Sequence, residues 1–188
     1  MNFTKARILH RISLLGALVL LTGLAIGQSV DFNNFGGTLT GDASGLTASS
    51  QVFRITGLKG NSDTGATQAT LSFTTGSLID GSVQTGATFN GGGSFVIVSS
   101  GSAGNPPRTL FSGSFNGPVT WAMTTFANGT HSYTLVGSLS GALAKSLSSN
   151  STVPATGATL QLTVNTGVGY FSGVTSISSG DTSFTPTQ

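Results

Sequence analysis

Apolar residues recur at every second position in three separate runs: Leu71 and Phe73; Val119, Trp121 and Met123; Leu160, Leu162 and Val164. A period of two belongs to an extended strand with one buried face, because successive side chains point to opposite sides. No window after residue 27 sustains apolar residues at i, i+3 and i+4. The chain beyond that point must hide its core behind extended backbone, and the pattern predicts an all-β domain.

Turn signals fall between the runs. Asn90-Gly91-Gly92-Gly93 separates Val83–Phe89 from Phe95–Val98, and Asn116-Gly117-Pro118 separates Thr109–Phe115 from Val119–Phe126. Asn128-Gly129 stands before His131–Gly137, and Asn165-Thr166-Gly167 divides Thr159–Val164 from Val168–Val174. Asn-Gly accepts the positive φ angles of a tight hairpin, so each signal is read as a chain reversal. Short strands joined this way predict an antiparallel β-sandwich or a jelly-roll-like domain. If Asn128 and Gly129 are the two central turn residues, Phe126 faces His131, Thr124 faces Tyr133 and Trp121 faces Val136. Trp121, Met123 and Val136 then share a core face, with Phe126 and Tyr133 opposite.

Gly76-Ser77-Leu78, Gly93-Ser94-Phe95, Gly113-Ser114-Phe115 and Gly137-Ser138-Leu139 repeat Gly-Ser-apolar at uneven spacing. A solenoid keeps a nearly constant period, so these read as strand entries where glycine permits close packing or a bulge. A parallel β-helix is the alternative architecture. Ser99–Pro107 and Ser146–Gly157 read as flexible connections.

The N-terminus has a different character. Lys5, Arg7 and Arg11 precede an apolar stretch from Ile12 to Ala25, and Ala25-Ile26-Gly27 supplies small residues ahead of Gln28. A basic start, a short apolar core and a small-x-small site describe a secretory signal peptide over residues 1–27. The core is shorter than the ~20 residues of a spanning helix. Residues 28–188 then form a single all-β domain, secreted or periplasmic.

Cleavage changes the electrostatics. The whole chain carries a formal net charge of +2, but residues 28–188 keep Arg54, Lys59, Arg108 and Lys145 against Asp31, Asp42, Asp63, Asp80 and Asp181, a net of −1. Four scattered cations make no basic stripe, so neither nucleic acid nor an anionic membrane is an expected partner. The same segment holds 25 glycines, 26 serines and 26 threonines, and hydroxyl groups must keep it hydrated in place of charge. With so little charge to defend strand edges, self-association through β-edges is one expected mode of partnership.

Candidate chemistry is sparse. The sequence has no cysteine and no glutamate, which excludes disulfides, thiolate metal sites and cysteine nucleophiles. His131, the one histidine after residue 27, is placed by the turn at an exposed hairpin end, and no Gly-x-Ser-x-Gly elbow accompanies it. Asp42, Asp63 and Asp80 lie near glycines and read as turn formers, not as a glycosidase pair. Asp31-Phe-Asn33-Asn34 and Asn61-Ser-Asp63 offer oxygen atoms but no recognised calcium spacing. Gly167-Val-Gly169-Tyr-Phe-Ser-Gly173 places its last glycine one position too late for a dinucleotide fingerprint. No catalytic residue, metal site or cofactor is therefore expected. Among aromatic residues, Trp121 and Tyr170 are the candidate ligand-binding pair, since their rings stack on a sugar while a polar edge stays wet, although core packing is the stronger reading for both.

Phe89-Asn-Gly-Gly-Gly-Ser-Phe95, Phe111-Ser-Gly-Ser-Phe-Asn-Gly-Pro-Val-Thr-Trp121 and His131-Ser-Tyr-Thr-Leu-Val-Gly137 resemble exported, Gly/Ser/Thr-rich β-proteins of environmental bacteria. The resemblance implies export and an all-β fold and carries no activity. The expected function is that of a non-catalytic structural or surface-interaction protein. The alternative is an extracellular carbohydrate- or ligand-binding module, with glycan as the partner. A secreted hydrolase comes next and would need His131 or two aspartates gathered in a cleft. An eight-stranded outer-membrane barrel comes last, since it needs about ten alternating residues per strand, longer than the runs between these turn signals.

Overall fold

A computed structural model describes residues 29–59, 68–101 and 106–185. The signal peptide expected over residues 1–27 lies outside the described residues, as does Asp63. Twelve strands follow in chain order: β1 (Val30–Asp42), β2 (Gly45–Thr56), β3 (Ala69–Thr74), β4 (Leu78–Ser82), β5 (Gly86–Phe89), β6 (Gly92–Ser99), β7 (Thr109–Phe115), β8 (Val119–Thr125), β9 (His131–Ala144), β10 (Thr152–Gly167), β11 (Val174–Ser176) and β12 (Ser179–Phe184). The described residues hold no helix.

The all-β, antiparallel expectation holds, but the sheet is one closed ring and not two stacked layers. β12 pairs with both β1 and β10, and β10 pairs along β9, so the order β10-β12-β1-β2-β3-β6-β7-β9 returns to β10. Every pairing between these strands is antiparallel, which removes the parallel β-helix. Beyond one rim, β8, β5 and β4 continue from β9 as a flap. Closure also answers the edge problem posed by the low charge, because a closed ring has no free edge along its wall. The remaining open edge of the flap is β4, five residues long, bulged between Leu78 and Asp80.

Two of the four turn signals do not reverse the chain. Phe89 pairs with Val119 and Gly92 with Phe115, so β5 runs on into β6 and β7 into β8. Asn90-Gly91 and Asn116-Gly117-Pro118 are side-by-side bends through which the sheet passes from ring to flap. Their closeness demands glycine: a Cβ on Gly91 would come within 2.5 Å of the Gly117 carbonyl oxygen. Strands are accordingly longer than the runs suggested, reaching 14 residues in β9 and 16 in β10. The segment Val168–Gly173, expected in a strand, is the loop joining β10 to β11, and β10 already begins at Thr152 inside the segment expected to be a flexible connection.

The Asn128-Gly129 signal does reverse the chain, with a different register. Gly129 N–H donates to the Phe126 carbonyl (2.9 Å) and Phe126 N–H to the Thr130 carbonyl (2.9 Å), enclosing Ala127, Asn128 and Gly129 as a three-residue loop. Gly129 takes φ 77°, the left-handed residue that follows a type I turn in such loops. The extra residue shifts the pairing by one: Trp121 faces Leu135, Met123 faces Tyr133 and Thr125 faces His131. A shift of one turns every side chain to the other face. Tyr133 therefore points into the core and Val136 out of it.

The ring interior is solid. An eight-stranded barrel is about the width that side chains fill, and here phenylalanine fills it. Phe73, Phe95 and Phe115 pack against one another with centroids 5.5–5.9 Å apart. Phe111 continues the chain of rings from Phe95 and meets Phe184 at 4.4 Å across the bore. The outer wall is the complement. Thr47, Ser49 and Gln51 on β2, Thr70 and Ser72 on β3, and Thr159 and Gln161 on β10 are exposed, alternating with buried neighbours. The same core continues under the flap, where Trp121 stacks on Tyr133 and meets Phe171 edge-on.

Candidate functional site

The β1–β2 pairing is interrupted twice, and both interruptions shape the outer wall. Asn33 pairs with Arg54 but Asn34 with Val52, which leaves Phe53 without a partner residue. Such a bulge places two successive residues on the same side of the strand. Phe53 and Arg54 are both exposed. The second interruption lies between Phe35 and Thr38, where Gly36 and Gly37 loop out. Gly37 needs its φ of 81° and its missing side chain, since a Cβ would meet the Ser49 carbonyl oxygen at 2.0 Å.

The second bulge is pinned. Asn34 Nδ2 donates to Ser50 Oγ (2.7 Å) and Ser50 Oγ donates to the Gly36 carbonyl (2.9 Å), so a buried polar pair holds the second bulge from inside the barrel. Gly36 N–H reaches the Ile177 carbonyl at 3.0 Å, tying it to the turn between β11 and β12. Phe35 and Phe53 thus stand out together, 48% and 39% exposed, with centroids 5.3 Å apart and planes at 72°. They line a groove of about 530 Å³ with Asn33, Asn34, Arg54, Ser179 and Gly180. The Arg54 guanidinium makes no hydrogen bond or ion pair among the described residues.

Asp181 stands on the far side of Asn33 and accepts a hydrogen bond from Asn33 Nδ2 at 2.7 Å. Burial, and secondarily the charge of Asp31, holds its carboxyl above the usual carboxylate range. A raised value means that the folded chain holds this proton more tightly than the unfolded chain. That contribution to stability is present below the ordinary carboxylate range and is lost as pH rises through the raised value. Asp181→Asn keeps the acceptor for Asn33 and removes the charge. It should make the protein more stable at neutral pH by no more than about 0.5 kcal/mol, because the carboxyl is only partly buried and water screens its repulsion with Asp31. Melting curves of both proteins from about pH 7 to about pH 4 check this: the wild type gains on the variant as pH falls, and a variant less stable at neutral pH contradicts the assignment.

The residues singled out by composition lie elsewhere. Trp121 is fully buried and its Nε1–H donates to the Val83 carbonyl at 2.9 Å, so it presents no ring face to solvent. Tyr170 is 56% exposed and stacks on His131 with centroids 4.6 Å apart. His131 sits at the hairpin end, as expected, but is 7% exposed and not open to water, because the β10–β11 loop lays Tyr170 over it. Its Nδ1 lies 3.0 Å from Thr125 Oγ1. Asp42 is a turn former: the Ser44 hydroxyl and N–H both bond its Oδ1, and these bonds hold its carboxyl below the usual range. No group of three histidine or acidic side chains gathers among the described residues.

Sequence reasoning passed over Phe35, Phe53 and Arg54. The signal was present as a break in alternation: Val52-Phe53-Arg54-Ile55 puts apolar residues side by side and then skips one. Phe32 and Phe35 are likewise three apart, with Gly36-Gly37 directly after. Out-of-phase aromatic residues beside paired glycines mark a bulge that carries rings to the wrong face for a core.

No family model, no curated protein and no solved structure matches the chain.

Proposed function

We propose that the protein is an exported, non-catalytic interaction module that meets its partner at the outer wall of the barrel, through the groove between β12, β1 and β2. The observation that carries this reading is the Phe35–Phe53 pair, two rings held outward by two bulges on a wall otherwise rich in hydroxyl groups. Bulges of this kind re-aim side chains next to sites. The interior is packed with phenylalanine, so a ligand has to be met from outside.

Export rests on the basic and apolar segment within residues 1–27. A barrel facing lipid would carry an apolar band outside and polar groups within; this wall has the reverse distribution, which favours a protein surrounded by water. Closure of the ring also weakens the case for assembly by strand addition, leaving β4 as the flap's open edge. The non-catalytic reading draws on His131 being covered by Tyr170 and on Asp42 being engaged in its own turn.

Saturation-transfer NMR against panels of glycans and of small organic acids and amides tests the proposal. The expected result is binding that Phe35→Ser/Phe53→Ser abolishes, with every bound compound recovered unchanged after prolonged incubation. Conversion of a bound compound, or binding indifferent to the double substitution, refutes it.

A further inference from the structure

The groove has a more specific chemistry than an apolar patch. Two phenyl rings at 72° form a notch with two walls, not the flat surface on which a pyranose ring stacks. A notch of that shape grips one aryl or branched aliphatic group, which it can contact from two sides. The neighbouring position in the chain is Arg54, and the bulge at Phe53 sends both side chains outward into the same groove. Its guanidinium is an always-charged planar fork matched to a carboxylate. Two acids flank Arg54 and neither forms an ion pair with it: Asp31, diagonally across on β1, accepts from the Ser29 and Thr56 hydroxyls, and Asp181, beyond the intervening strand, is bonded to the Asn33 amide. The groove is also of the size of small-molecule sites, which run from about 300 to 1,000 Å³.

We infer that the groove binds a small carboxylate carrying one aromatic or branched aliphatic group, with the apolar group in the Phe35–Phe53 notch and the carboxylate on Arg54. This rests on the reading of the groove as the interaction site and gives that site its ligand class. Arg54 supplies the discrimination and the phenylalanines the contact area. A neutral amide of the same shape fills the notch but leaves the guanidinium without a counter-charge.

The test uses 3-phenylpropanoate and 3-phenylpropanamide titrated into the purified protein and followed by heteronuclear NMR. The acid is expected to shift the Phe35, Phe53 and Arg54 side-chain resonances saturably, and to bind at least about tenfold more tightly than the amide. Arg54→Gln should erase the difference between acid and amide while both retain weak contact with the rings, and Arg54→Lys should restore part of it. Phe35→Ser/Phe53→Ser should remove both interactions, and because these rings are on the surface the far-UV circular dichroism should not change. Equal affinity for acid and amide in the wild type, shifts confined to another part of the barrel, or no saturable shift overturns the ligand class. Should glycans or other neutral compounds still bind in a manner dependent on Phe35 and Phe53, the interaction-module reading survives that failure. Should nothing depend on the two rings, both readings fall.

Discussion

Replacing Trp121 with alanine should cost about 3–5 kcal/mol of stability, the range for removing a buried aromatic ring of this size. Trp121 stacks on Tyr133 at 4.9 Å and meets Phe171 edge-on at 5.5 Å, so its loss leaves a void lined by two rings. It also leaves a carbonyl without its donor. The Trp121 indole binds the Val83 carbonyl at 2.9 Å, and the Tyr133 hydroxyl donates to the next carbonyl, Gln84, at 2.6 Å while accepting the Phe171 N–H at 3.0 Å. Two aromatic heads thus clamp the turn between β4 and β5 and, through Phe171, the β10–β11 loop. Urea denaturation of Trp121→Ala and Trp121→Phe separates the two contributions. The phenylalanine variant keeps most of the packing and should lose only about 1–3 kcal/mol for the unpaired carbonyl. A Trp121→Ala protein within 1 kcal/mol of wild type would contradict the packing described here.

Phe95→Ala should be as damaging, by about 3–5 kcal/mol, for a different reason. Phe95 touches Phe73, Phe111 and Phe115 within 5.9 Å, and through Phe111 the chain of contacts reaches Phe184 on the opposite wall. A barrel cannot collapse sideways onto a vacancy, because its wall is held by pairing all the way round, so the cavity stays open. Against a typical domain stability of about 5–15 kcal/mol, such a loss should be evident as a large drop in the urea midpoint. Phe53→Ala is the control. The same residue type on the outer wall should change stability by no more than about 0.5 kcal/mol. A similar loss at both positions would mean that the groove rings are part of the core and not of a site.

The contrast between Phe95 and Phe53 is also where sequence reading reached its limit. Leu71, Phe73, Leu160, Leu162 and Val164 were identifiable as core from their spacing, because alternation is a property of a few consecutive residues. Phe53 was not, since a bulge is recognised only against the strand beside it. The Asn128-Gly129 reversal was visible, yet its register differed by one because two-residue and three-residue loops share the same Asn-Gly signal. Asn90-Gly91 and Asn116-Gly117 carry that signal too, but they only bend the chain, since each faces a neighbouring bend and not its own returning strand. Trp121 and Tyr170 stood out by chemistry alone, and the fold placed one in the core and the other over His131.

The amino-acid sequence alone determined that residues 28–188 alternate as strands do, favoured antiparallel pairing over a parallel β-helix, and left the surface sparing in charge and dependent on hydroxyl groups. Those are consequences of backbone preference and side-chain alternation, which act over short distances. Only the tertiary structure decided that the sheet closes, because β12 meeting both β1 and β10 joins the last strand to the first across the whole length of the domain. Closure then decided the rest: it turned the phenylalanines into a solid interior, removed the wall's free edges, and left two bulged strands to carry a groove outside.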